Sequence, residues 1–303
     1  MNETFYSNGK LLLTGEYVVL DGAKALALPT KFGQSLTVSE GLEKSIKWTS
    51  YDKDGSIWFE DLITFSEISN KETERISTLK STLIEILHAA FMSNPDYLNK
   101  DGYTITTNLT FPKFWGLGTS STLINNIAQW LKLDAFQLLQ DSFGGSGYDI
   151  AAAQHDSPII YELENGLPKV SPVNFNPAFI DNLFFVYLNR KQSSKAAINS
   201  YYINRVSDLN DHITEINRIT NAVTSTDNPG IFARELQNHE SIISDILKMK
   251  TVGETFFKDF PGVVKSLGGW GGDFVLAMSH ENPTDYFSSL GFNTVIPYRD
   301  IIL

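Results

Sequence analysis

"FWGLGTSSTLINNIAQWLKL", residues 114–133, runs from a glycine-rich turn directly into an amphipathic helix spanning about 121–132. Gly116, Leu117, Gly118, Thr119, Ser120 and Ser121 form the pattern of a phosphate cradle. Glycine accepts positive φ and lets an anion approach the backbone. The first turn of a helix adds unpaired N–H groups at the positive end of its dipole. The hydroxyls of Ser120 and Ser121 suit a phosphate or a magnesium ion. The competing reading is a plain helix cap, in which Thr119 or Ser120 satisfies the first amides. No lysine follows the second glycine, so this is not a Walker A loop, and the three-glycine spacing of a dinucleotide fingerprint is absent. Phe114 and Trp115 stand in front of the turn and narrow its approach.

Upstream of this segment the chain reads mostly as strands. "KLLLTGEYVVLDG" reads as strand, Gly15 turn and strand, closing on Asp21-Gly22; "ALALPTKFGQSLTVSE" continues as strand. "KSIKWTSYD" and "SIWFEDL" read as a hairpin across Asp54-Gly55. A helix over about 74–92 follows from Ile76, Leu79, Leu83, Ile86 and Leu87 at helical spacing, and "GYTITTNLTF" is an alternating strand. Downstream, a helix near 134–141 and the turn "FGGSG" lead to the helix "YDIAAAQH". "SPIIYEL" and "LFFVYLN" are strands, and two helical stretches cover about 193–219 and 229–249. The chain closes with strand "GVVKSL", loop "GGWGGD", strand "FVLAMSH", helix "PTDYFSSLG" and strand "NTVIPYRDI". The break near 174–182 divides a strand-rich half, 1–178, from a helix-rich half, 179–303.

Bulk properties restrict the class. A chain of 303 residues that is 42% hydrophobic supports a substantial packed core. A net charge of −11 speaks against nucleic acid and anionic membrane as partners, and no apolar run reaches the roughly 20 residues of a membrane helix. There is no cysteine, hence no disulfide framework and no thiolate metal site. These features and an N-terminus without signal-peptide character predict a soluble, cytoplasmic protein, and the acidic balance does not exclude a small anionic substrate. A homodimer stays open. The five histidines lack metal-ligand spacing.

Two further glycine-rich segments carry candidate chemistry. In "GGSGYDIAAAQ", Ser146 and Asp149 have capping-box spacing; alternatively, Asp149 is a carboxylate that takes a proton from a substrate hydroxyl. In "KSLGGWGGDF", four glycines surround Trp270, between Lys265 and Asp273. Either the backbone bends around a ligand or the loop packs beneath the indole. Lys10 and Glu16 carry no independent signal.

In order along the chain, "GKLLLTGEYVVLDGAKALALP" (9–29), "PKFWGLGTSS" (112–121), "GSGYDIAAA" (145–153) and "VVKSLGGWGGDFVLAM" (263–278) resemble the successive motifs of the GHMP kinases. The likeness spans nearly the whole chain. It is nearest to the mevalonate and phosphomevalonate kinase branch, and "GYDIA" matches the subgroup named for that string. The resemblance implies an α+β fold of two domains, with a ribosomal-protein-like N-terminal α/β domain and a ferredoxin-like C-terminal domain. It implies ATP and Mg2+ as cosubstrates and phosphoryl transfer to a small hydroxy acid or its phosphate, mevalonate or phosphomevalonate in isoprenoid-precursor synthesis. By motif, Gly116–Ser121 would hold the triphosphate with Ser120 on magnesium. Asp149 would be the catalytic base, Lys10 the lysine paired with it, and Glu16 a substrate-side residue. Gly268, Gly269, Gly271 and Gly272 would close over phosphates and substrate. In "LNRKQSSKAAI" (188–198), Lys191, Ser193, Ser194 and Lys195 would receive a substrate phosphate, or else they simply begin a solvated helix. The chain departs from the family at Phe114, Trp115 and Trp270, where small residues are usual, and at Thr119. No glutamate lies eleven residues before Asp149, where Leu138 stands. Alternatives are a GHMP-fold binding or regulatory protein without turnover, a kinase of homoserine or a sugar, and an ATP-dependent decarboxylase.

Overall fold

The computed structural model describes residues 2–73, 78–190, 198–199, 201–203, 205, 208–270 and 272–303. It is a mixed α+β structure whose chain divides into two compact units. The first comprises residues 1–9, 32–113 and 117–154, and the second 10–31, 114–116 and 155–303. The units therefore interleave in sequence and do not divide at residue 178. The reason lies in two long strands, β1 (Glu3–Thr14) and β2 (Ala25–Glu40), each of which contributes residues to both units.

In the first unit, Gln34–Glu40 of β2 pair antiparallel with β5 (Tyr103–Leu109). β5 runs parallel to β3 (Ser45–Tyr51), which closes the expected hairpin with β4 (Ile57–Thr64). Helices α1 (Phe65–Ser69), α2 (Leu79–Ser93), α3 (Thr119–Leu131), α4 (Ala135–Ser142) and α5 (Tyr148–Ala153) belong to the same unit. Alternation along β2, β3 and β5 sends Leu36, Val38, Ile46, Trp48 and Ile105 into one core, where Leu83, Leu87, Ile124, Ile127 and Leu138 meet them. Helix α2 starts at Thr78, whose side chain accepts from the Ser81 N–H, and Ile76 lies outside the described residues.

In the second unit, Ala25–Ala27 of β2 pair with β6 (Ile159–Glu164), and β6 pairs with β7 (Leu167–Pro172). The polar "LPKVSP" of β7 gives no strand signal. It is almost entirely exposed and is held by its ladder to β6. A four-stranded antiparallel sheet has the order β11 (Val295–Pro297), β8 (Leu183–Tyr187), β10 (Phe274–Met278), β9 (Val263–Ser266). Its helices include α6 (Asn210–Ser225), α7 (Pro229–Leu247), α8 (Val252–Phe256), α9 (Thr284–Ser289) and α10 (Tyr298–Ile301). α7 opens with Pro229 behind Asn228, whose Oδ1 accepts from the Gly230 and Ile231 N–H groups.

Two local readings are corrected. Val18–Asp21 form a 3-10 turn instead of a strand: Tyr17 before it takes φ 64° and Gly22 after it φ 93°, neither of them extended backbone. The closing "NTVIPYRDI" is strand only over Val295–Pro297; from Tyr298 it becomes α10. Among the described residues, no helix is long and apolar enough to cross a membrane.

Candidate functional site

Gly116 and Gly118 both take positive φ, 68° and 95°, and Leu117 between them is fully buried. The turn is thus anchored by one apolar side chain while its flanking backbone adopts the left-handed conformation that favours glycine. Gly118 is the N-cap residue of α3, and no side chain caps the helix. Neither Thr119 nor Ser120 serves that purpose. The hydroxyls of the first turn look elsewhere: Ser121 Oγ donates to the Gly118 carbonyl at 2.9 Å, and Thr122 Oγ1 donates to Gln34 Oε1 at 2.7 Å. Ser120 is exposed. A helix of this length with an uncapped start retains N–H groups and dipole for an anion.

The backbone of Gly116 is held closely within the second unit. Lys10 Nζ donates to its carbonyl at 3.5 Å. A Cβ built on Gly116 would lie 2.2 Å from Cγ and from Oδ2 of Asp273, and 2.8 Å from its Cβ. Asp273 follows the last glycine motif, and sequence reading gave it no role. Its own φ is 46°, and its backbone bonds to Arg190 O and Leu188 N hold it in place. Gly116→Ala combines strained backbone with a collision that rotation of Asp273 cannot relieve. It is expected to cost about 1–3 kcal/mol, read as a lower denaturant midpoint at unchanged slope.

Of the two aromatic residues in front of the turn, Trp115 is committed to packing. The Trp115 ring meets Phe274 edge-on at 5.5 Å and Tyr187 at 6.2 Å, and Tyr187 Oη donates to the Phe114 carbonyl at 2.9 Å. The Phe114 side remains half exposed. Trp270 is buried among Tyr17, Val18, Ile243 and Ile246. Its backbone N–H donates to Tyr17 Oη at 2.8 Å, and its Nε1–H donates to the Lys250 carbonyl at 3.0 Å. The Trp270 indole is therefore a core side chain that ties the last glycine loop to the first motif.

Asp149 lies in the first turn of α5, where Oδ1 accepts from the Ile150 N–H at 3.1 Å. The N-cap is Gly147 (φ 89°) and no side chain caps this helix, so the capping box between Ser146 and Asp149 does not form. Buried Ile150, Ala151, Ala152 and Ala153 seat the helix and leave Asp149 half-buried.

Glu16 is the clearest departure from expectation. It was expected on the substrate side, yet its side chain is 2% exposed and its Oε1 accepts from Lys265 Nζ at 2.6 Å. Lys265, fully buried, also reaches Glu240 Oε1 at 3.5 Å and the Ser266 carbonyl at 2.7 Å. Ser266 Oγ donates to Glu240 Oε2. His239 Nε2 accepts from the Gly15 N–H at 2.8 Å, which places its proton on Nδ1. Burial pushes Glu16 up to about 7 against the opposing pull of Lys265. Burial also raises Glu240 and, with Lys265, holds His239 well below its ordinary value. A carboxylate closed in this way holds the chain at its first motif and presents no face to a ligand.

Of the remaining expected residues, Lys191, Ser193, Ser194, Lys195 and Gly271 lie outside the described residues. Gly268 and Gly269 are half-buried and Gly272 is buried; the Gly272 N–H donates to the Gly269 carbonyl at 3.1 Å, closing the loop. No group of three or more His, Cys, Asp or Glu with metal-binding placement occurs among the described residues.

No protein-family model matches the chain, and no curated protein matches it in sequence. Solved structures do. Mevalonate kinase of Methanococcus jannaschii superposes with a TM-score of 0.66 at 16% identity, over 97% of this chain and 96% of that one. Phosphomevalonate kinase of Streptococcus pneumoniae, solved with phosphomevalonate and AMPPNP, gives 0.67 at 15% identity over 99% and 98%. Galactokinase of Lactococcus lactis, solved with galactose, gives 0.67 at 13% over 95% and 88%. At these identities the likeness is one of fold, and it extends over almost the full length of each partner.

Proposed function

We propose that this chain, built on the fold of the GHMP kinases, is an ATP-dependent kinase of a small hydroxy acid or its phosphate, with mevalonate or phosphomevalonate as acceptor. The observation that carries the reading is the uncapped start of α3 behind two positive-φ glycines, a backbone arrangement suited to a polyphosphate. In this reading Gly116–Ser121 receive the triphosphate, and Lys10, which reaches the Gly116 carbonyl, adds positive charge at the loop. The acceptor oxygen attacks the γ-phosphorus, the bond to the β–γ bridging oxygen breaks, ADP leaves, and Asp149 takes the acceptor proton. Lys191, Ser193, Ser194 and Lys195 are assigned to an acceptor phosphate, and Gly268–Gly272 to closure over it. Magnesium carried in with the nucleotide would supply charge neutralisation at the phosphates. The Ser120 hydroxyl, a hard oxygen that no cap occupies, is the group assigned to it. Glu16 has a structural role.

Calorimetry with magnesium-ATP and a coupled ADP-release assay on mevalonate, phosphomevalonate, galactose and homoserine test this reading together. Micromolar nucleotide binding and turnover of one acceptor are expected. Nucleotide binding without turnover on any acceptor would favour a binding or regulatory protein, and absence of both would end the assignment.

A further inference from the structure

Helix α3 carries two stripes at i, i+3, i+4, i+7 spacing, both buried except for the exposed Gln129 at the end of the second. Ile124, Ile127, Ala128 and Leu131 enter the apolar core. The second stripe is polar: Thr122, Asn125, Asn126 and Gln129. Of these, Thr122 and Asn126 are 0% exposed and Asn125 is 2% exposed. Their partners form one connected network. Ser7 Oγ donates to Asn126 Oδ1 at 2.7 Å and accepts from Asn125 Nδ2 at 2.8 Å. Asn126 Nδ2 donates to the Gln34 carbonyl at 2.9 Å, and Gln34 Oε1 takes the Thr122 hydroxyl. Asn125 Oδ1 accepts from Gln154 Nε2 at 2.9 Å. Gln154 is the C-cap residue of α5, the helix whose first turn holds Asp149.

A helix that needs only to pack can bury leucine on both stripes. An apolar stripe tolerates axial slip and rotation, whereas donors and acceptors in fixed order accept one register, because any shift strands a buried amide. We infer that Asn125 and Gln154 are positioning residues, whose hydrogen bond fixes the helix bearing Asp149 against the helix opened by the glycine turn. The catalytic consequence rests on the kinase reading above. The mechanical one does not.

Two variants separate the outcomes. Gln154→Leu removes the donor at a position exposed overall, so the chain folds. Gln154→Lys supplies a donor again. Amide hydrogen exchange on the unliganded protein is expected to rise about fivefold over Ile150–Gln154 in Gln154→Leu, the worth of one hydrogen bond. It should stay unchanged in α2 and return to the wild-type rate in Gln154→Lys. In steady-state kinetics, kcat is expected to fall roughly 10- to 100-fold at unchanged KM for ATP, as for a reacting group displaced by a fraction of an ångström to one ångström, with recovery in Gln154→Lys. Unchanged exchange in α5 overturns the inference. So does a rise spread over the whole chain with a lower melting temperature, or a local rise at normal kcat. A local rise, reversed by lysine, in a chain that turns over no acceptor supports the coupling of the two helices and rejects the kinase assignment alone.

Discussion

Asp149→Asn is expected to fold normally and to lose ~10²–10⁴-fold in kcat, the range for removal of a general base. The fold survives because Asp149 does not cap α5 and the Ile150 N–H still finds an oxygen on the amide. The helix is held from its other side by four successive buried residues, Ile150 to Ala153. Positioning and charge neutralisation remain, and these account for much of phosphoryl transfer, so a residual rate is expected. Single-turnover measurement of ADP formation, beside a thermal melt, checks both halves. A variant that keeps wild-type kcat removes Asp149 from proton transfer. A variant that melts far below wild type shows that the side chain is structural.

Lys265→Met is expected to have the largest effect on stability. The ammonium lies between Glu16 and Glu240 with no solvent access, and its loss leaves two carboxyl groups buried without a counter-charge. Breaking a buried ion pair from one side costs about 3–5 kcal/mol. The cost should depend on pH. Burial already raises Glu16 from 4.5 to about 7 while Lys265 pulls the other way, and Glu240 is raised by burial against the same lysine. Without the lysine both rise further. A group whose folded-state pKa is raised contributes stability that is complete below its unfolded pKa and disappears as pH climbs through the folded one. The penalty is therefore smaller near pH 5 than near pH 8, because protonation relieves the unpaired carboxylates as pH falls. Urea midpoints at the two pH values test this. An equal loss at both would mean that Lys265 contributes through the packing of its stem alone.

The two residues also show why local reading succeeds in some places and not in others. Strand alternation marked β3, β4 and β5, and the hairpin across Gly55 closed as expected, because alternation and turn chemistry are properties of neighbouring residues. Helix α4 also lies within a residue of its expected span. Val18–Asp21 read as strand because Val18 and Val19 are β-branched and apolar, but positive-φ backbone at Tyr17 and Gly22 bounds a 3-10 turn there. β7 carried no pattern at all, since its place depends on the edge of β6. Asp273 had no signal beyond its position after a glycine motif; its proximity to Gly116 is a contact between distant parts of the chain.

The order of the glycine-rich motifs made the resemblance to the GHMP kinases legible, and with it the expected α+β fold, because each motif is a short backbone requirement written in adjacent residues. The glycine turn and the start of α3 were legible for the same reason. Tertiary structure alone decided what Glu16 does, since its partner Lys265 is 249 positions away. It alone decided whether Trp115 and Trp270 obstruct or pack, and whether the asparagines of α3 face water or a buried network. The physical difference is that a turn or a helix is selected by its own dihedral angles. The role of a buried polar or aromatic side chain is selected by whatever the rest of the chain places against it.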